Sequence, residues 1–259
     1  MNFPVLTPDV IEAFLLVFIR VSAIFLMIPV FGDAVVPSMV KWGLSLLMAL
    51  IIYPLVKSGI GPLGDLDVIS LALRIAGELL IGISIGFTAK FIFAGIQMAG
   101  ELLGFQMGFS MASVIDPTSN TQVSVVAEFQ YMLSLLLFLG VNAHHIVINA
   151  IFESYQVLSP LNAHYSGKLL QVIIHLSQEV FMIAVKISAP TMAVLLFTNV
   201  ALGVVARTVP QINIFIVSFP LQISVGLLFI GLTAPIFAEL VQRLFFGLPG
   251  KIGLLLRIL

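Results

Sequence analysis

Nine charged residues interrupt otherwise apolar runs: Arg20, Arg74, Glu78, Lys90, Glu101, Glu128, Glu179, Lys186 and Arg207. A charge at the middle of an apolar helix costs about 2.5–3.5 kcal/mol on insertion scales, so such groups face protein or a wet cavity. These are the side chains with which the chain could relay a proton, hold an ion or bind a polar substrate. Arg74 and Glu78 lie four residues apart and would meet on one helix face. The spacing admits two readings, an internal pair that holds helices together or a proton-relay or substrate pair. Arg20 reads as a packing residue that pairs with a carboxylate on another chain rather than as a catalytic group.

The histidines do not have metal-ligand spacing. His144 and His145 are adjacent and should point apart on a helix, and His164 and His175 have no carboxylate pattern nearby. HExxH, Walker A and strand-linked GxGxxG signatures are all missing. The stretch GLPGK at 247–251 has the wrong spacing for phosphate and no following Ser or Thr. With no cysteine in the chain, thiolate nucleophiles, disulfides, Fe–S clusters and cysteine zinc sites are excluded. The expectation is a protein that is not an enzyme and needs no cofactor or metal.

The elements that carry these charges are strongly apolar. The chain has 259 residues, 60% hydrophobic and 9% charged, with mean hydropathy +1.19. Soluble globules carry roughly 25% charged residues, so this chain belongs in or against a bilayer. Its length allows six or seven membrane-length helices at roughly 20 residues each. With net charge -1 and pI ≈ 6.4, no basic field favours nucleic acid. The first apolar run, 9–30, lacks a basic n-region and a small-residue cleavage site, and reads as a retained helix rather than a signal peptide.

Apolar runs follow at 40–56, 68–112, 123–141, 168–209 and 212–246, with an interfacial helix at 142–160 and a tail at 247–259. The stretch 68–112 has no proline and would reach about 67 Å as one helix. That is twice a bilayer core of about 30 Å, so it is either a hairpin or a helix that projects beyond lipid. The 168–209 stretch is similarly overlong and is interrupted by Pro190, and the last run is interrupted by Pro220 and Pro235. The fold class is all-α: hydrophobic helical hairpins with Pro/Gly interruptions, in a single membrane domain spanning 1–259. Arg243, Lys251 and Arg257 cluster at the C-terminus, which the positive-inside rule places in the cytoplasm.

Gly100, Gly104 and Gly108 form a ladder at helical spacing, and Gly82 and Gly86 form a second. Such ladders let backbones approach closely. Overlapping the first is Phe105-Gln106-Met107-Gly108-Phe109-Ser110-Met111, with Phe and Met pairs each spaced i,i+4. Two readings stand: core packing, or a deformable apolar constriction, because Met and Phe can seal a pore and repack around varied substrates.

Two longer segments carry a resemblance: GFQMGFSMASVIDP at 104–117 and ARTVPQINIFIVSFP at 206–220. Together with Arg20 ahead of Pro29-Val30-Phe31, Pro37 and Lys41, they resemble the FliR/SpaR/YscT family of the flagellar and virulence type III export apparatus. The resemblance runs the length of the chain. It implies a non-enzymatic subunit with a fold like a merged P-type and Q-type subunit. Such a subunit completes a helical ring of FliP-type and FliQ-type subunits beside FlhB-type protein, in the inner membrane at the flagellar basal body. That ring passes unfolded exported proteins. It further implies that much of the chain lies in a protein assembly above the lipid, which would explain the overlong stretches. A plug role is carried over to Phe105, Gln106, Met107, Phe109, Met111, Asp116 and Pro117. Arg20, Arg74, Glu78 and Arg207 are expected as structural charges, with Arg207 pairing with a carboxylate or capping helix-end carbonyls. The alternatives are a secondary transporter, which should show corresponding broken helices in two halves, and the equivalent subunit of a virulence system.

Overall fold

A computed structural model of the chain describes residues 7–32, 36–57, 68–109, 124–158, 168–211 and 213–259. The described residues are all-α, with no strand among them. Eight helices follow in order: α1 Pro8–Met27, α2 Ser38–Val56, α3 Val68–Gln106, α4 Val125–Gly140, α5 Ala143–Val157, α6 Lys168–Thr208, α7 Ile214–Phe246 and α8 Leu248–Ile258. Among them five are long and apolar enough to cross a membrane, or six if α4 and α5, bent by 66° at their junction, make one span.

The ends of α1 follow local chemistry. Pro8 occupies the first turn, where its missing N–H is no loss, and Asp9 complements the positive end of the helix dipole. At the far end Ile28 is extended, as the residue before Pro29 must be. The stretch expected to be a hairpin or one long helix is a single helix: α3 has 39 residues, about 58 Å. α6 has 41 residues and runs through Pro190 without ending, and α7 runs through Pro220 and Pro235. Proline removes one helical hydrogen bond, and in an apolar setting neighbouring groups can satisfy the carbonyl it frees.

The helices group into two compact units that are interleaved along the chain. The first contains α1, α2, α3 up to Lys90, α5 and α8. Here α1 and α2 are antiparallel, with Phe14 on Tyr53 (ring centroids 5.8 Å) and Phe18 on Trp42 (6.1 Å). α3 then runs parallel to α1. Gly82 meets Ala23, where an added Cβ would lie 2.6 Å from the alanine Cβ, and Gly86 meets Met27 one turn further along both helices. Four side chains of α8 are buried in this unit: Leu248, Ile252, Leu255 and Leu256.

The second unit contains α3 from Phe91, α4, α6 from Leu176 and α7. Phe93, Phe138 and Phe245 pack together with centroids 5.2–5.7 Å apart. A second apolar cluster joins Leu103, Met107, Val126 and Leu195. Gly95 sits against Ile183, so α3 and α6 also meet through a glycine.

Candidate functional site

Three of the charges expected inside apolar runs, Arg20, Arg74 and Glu78, are paired in the first unit, Arg20 and Glu78 buried and Arg74 half-buried. The Arg20 side chain is 0% exposed and that of Glu78 is 1% exposed. Arg20 Nε donates to Glu78 Oε2 (2.5 Å) and Nη2 to Oε1 (2.9 Å), a bidentate pair between α1 and α3. The remaining guanidinium hydrogens serve α5: Nη1 donates to Ser154 Oγ (3.2 Å), and both Nη atoms donate to the Leu158 carbonyl (3.2 Å each). The guanidinium carbon lies 4.0 Å from the ring centroid of Tyr155, whose hydroxyl donates to the Val17 carbonyl. One side chain thus ties three helices together.

A second pair stands two turns earlier on α1. Arg74 Nη1 donates to Glu12 Oε1 at 2.8 Å. The expected Arg74–Glu78 pair along α3 is therefore replaced by two pairs across helices. Glu78 is taken by Arg20, and Arg74 reaches Glu12, because α1 lies parallel to α3 and offers opposite charges in reverse order. The carboxylate partner of Arg20 is accordingly on its own chain, not on another. Glu12, Ser154 and Tyr155 were not anticipated. The one available signal was Glu12 lying eight residues before Arg20, close to the same helical stripe. His144 and His145, expected to point apart, lie in tilted ring contact with centroids 4.2 Å apart where α5 begins after Asn142 in the left-handed region.

In contrast, Lys90, Glu101, Glu128, Lys186 and Arg207 are exposed. Arg207 makes no ion pair among the described residues, contrary to the expected cap or salt bridge. The end of α6 is satisfied locally: Val209 N–H donates to the Val205 carbonyl (2.9 Å) and Thr208 Oγ1 to the Val204 carbonyl (3.2 Å). Arg207 is exposed, and truncation to alanine in the isolated chain falls in the usual surface range of about 0.5 kcal/mol or less.

The other expected site is the end of α3. Gly100 and Gly104 meet the start of α4, where an added Cβ would press on the backbone of Ala127 and on Ser124 Oγ. The ladder is thus a close-packing seam in the second unit. Gly108 plays a different part. Its φ is +88°, and its N–H donates to the Phe105 carbonyl (3.1 Å) while Phe109 N–H donates to the Gly104 carbonyl (3.0 Å). These two bonds make a Schellman stop, in which glycine takes the left-handed position. Phe109 folds back onto the cluster containing Leu103, the apolar contact that accompanies such stops. α3 therefore ends at Gln106, not near 112 as the absence of proline suggested.

The side chains of the expected plug are dispersed. Phe105 is 71% exposed, Gln106 and Phe109 are half-buried, and Met107 is fully buried against Leu103, Val126 and Leu195. Met107 is packing in this chain. Met111, Asp116 and Pro117 lie outside the described residues.

With this geometry in view, comparison with known proteins is direct. Residues 11–248 match the model of a family described as bacterial export proteins, family 1. The chain belongs to that family. This export protein is 37% identical over 240 residues to the flagellar biosynthetic protein FliR of Bacillus subtilis (strain 168), covering 92% of each chain. It is 33% identical to FliR of Escherichia coli (strain K12), over 88% of this chain and 86% of that one. FliR of Caulobacter vibrioides is 32% identical over 84% of this chain and 86% of its own. The resemblance read from segments 104–117 and 206–220 is borne out.

Two outcomes follow for the export protein itself. Glu78→Ala strands the Arg20 guanidinium in an apolar interior and should cost about 3–5 kcal/mol, whereas Arg20→Met with Glu78→Leu should recover part of that loss. Thermal unfolding followed by circular dichroism in detergent checks the order. A double variant no better than the single one would mean that Arg20's bonds to α5 outweigh the pair. Gly108→Ala should destabilise by about 1–3 kcal/mol, from the left-handed backbone and from a Cβ only 2.7 Å from Phe219 Cδ1. Gly140→Ala, at the helical residue where an added Cβ meets nothing within 4 Å, should be neutral or stabilising in the same melt.

Proposed function

We propose that this chain is a non-enzymatic core subunit of the flagellar type III protein export gate. In this reading it completes a helical ring with FliP-type and FliQ-type subunits, beside an FlhB-type subunit, in the inner membrane with its C-terminus in the cytoplasm. The observation that carries the reading is the family match over residues 11–248 together with full-length likeness to proteins named for flagellar biosynthesis. The names of those relatives favour the flagellar system over a virulence one.

The distribution of charge supports a protein environment for part of the chain. Glu101 and Glu128 are exposed on helices that are otherwise apolar. Lipid penalises each such charge, whereas a neighbouring subunit can supply partners. The lengths of α3 and α6 support the same reading, because both exceed a bilayer core of about 30 Å. Interleaving of the two units supports one domain over 1–259, since no single cut releases either unit. The plug reading rests on Phe105, a large apolar side chain left exposed just before a glycine stop. Apolar constrictions exclude ions by dewetting, and polar side chains admit water.

Tagged chain drawn from native membranes should bring down P-type and Q-type subunits. Recovery of the chain with neither would reject the gate reading. Replacing Phe105 and Phe109 with Ser in cells that carry the partners should leave the complex assembled and make the membrane leak ions. An assembled variant as tight as wild type would show that this segment is not the principal seal.

A further inference from the structure

The second unit holds a cavity of about 340 Å³ between α4, α6 and α7. Its wall includes Val125 and Gln130 of α4, Lys186 and Thr191 of α6, and Leu227 and Leu240 of α7. Along α7 that makes a slot about 20 Å long, with a volume at the lower end of ligand pockets, roughly 300–1,000 Å³. One leaflet of a bilayer contributes about 15 Å of acyl chain, half of a 30 Å core. An elongated apolar slot of this length suits a single acyl chain better than a compact solute.

Polar groups in the wall narrow the choice. The Gln130 side chain is 5% exposed, and its Oε1 is buried with no hydrogen-bond partner among the described residues. A buried amide oxygen without a donor is costly, and this one belongs to a residue that lines the slot. Lys186 is exposed and is the one charged residue in the wall. One cation and one unfilled buried acceptor stand in the wall of an apolar trough.

We propose that this slot binds an anionic glycerophospholipid whose headgroup carries free hydroxyls. The acyl chain lies along α7, the phosphate meets Lys186, and a hydroxyl donates to Gln130 Oε1. A basic residue at the mouth of a cleft between apolar helices is a recurrent way of holding anionic headgroups. The inference needs contact with lipid but not the ring or plug assignments, so loss of either leaves it standing.

The test uses the full chain in nanodiscs of equimolar phosphatidylglycerol and phosphatidylcholine, followed by gentle extraction and native mass spectrometry of retained lipid. Wild type should retain phosphatidylglycerol over phosphatidylcholine by about five-fold, the weight of one basic group against an anionic headgroup. Lys186→Gln should abolish the preference, and Gln130→Leu should reduce it. Gly231→Leu, at an exposed position where an added Cβ meets nothing within 4 Å, should fill the trough and remove retention of both lipids. Lys186 and Gly231 are both exposed, so these variants fold as wild type does. Retention of no lipid by wild type, equal retention of the two lipids, or an unchanged pattern in Lys186→Gln or Gly231→Leu would each overturn the proposal.

Discussion

An arginine that is wholly removed from water must be answered by the protein, and the first unit is arranged around that requirement. Arg20 has five N–H donors and no acceptor. Glu78 from α3 neutralises it, and Ser154 and the Leu158 carbonyl at the end of α5 take the remaining donors. Tyr155 lies 4.0 Å over the guanidinium carbon. None of these partners is adjacent to Arg20 in sequence, so satisfying the charge forces α1, α3 and α5 into one place. A buried ion pair is weak evidence of net stability but strong evidence of specificity when its loss strands a charge. Here the second pair, Glu12 with Arg74, has the opposite polarity along the same two helices. Sliding α1 against α3 would separate opposite charges in both pairs and leave Arg20 and Glu78 unpaired in an apolar interior.

Close approach of the helices rests on glycine as much as on charge. α3 presents Gly82 and Gly86 to α1 in the first unit, and Gly95, Gly100 and Gly104 to α6 and α4 in the second. At most of these positions a methyl group would fall within 3 Å of a neighbour. Apolar side chains gain little from one another where the surroundings are equally apolar, so backbone proximity and buried polar bonds carry the specificity. A single 39-residue helix thereby supplies packing seams to both units.

What could be read in the sequence follows from the same physics. The all-α class and the long apolar runs were plain, because composition and hydropathy act over many residues. The glycine ladders were plain too, because spacing on a helix is a local property. The partners of those glycines and charges were not. Arg74 and Glu78 satisfy the i,i+4 rule, yet each is claimed by α1, because a buried charge takes the best available partner in space. Likewise Gly108 fits the ladder spacing, but its left-handed backbone makes it a helix stop, a distinction invisible in a list of small residues. Pro190, Pro220 and Pro235 read as breaks and are passed through, since the apolar surroundings reward an otherwise continuous helix.

The exposed side chains complete the argument. Phe181, Phe197, Val200 and Val204 of α6 are each at least 59% exposed, as are Ile216 and Leu232 of α7. Area of that kind is not left to water. Lipid and protein can both cover it, but they differ in how they treat charge. Lipid accepts a lysine or arginine whose stem reaches an anionic headgroup, and Lys186 at the mouth of an apolar slot fits that case. It does not readily accept exposed acids on apolar helices, such as Glu101 near the end of α3 and Glu128 in the first turn of α4. Those carboxylates call for donors on a neighbouring polypeptide. Reading the sign of each exposed charge therefore separates the faces suited to lipid from those suited to other subunits of an export assembly.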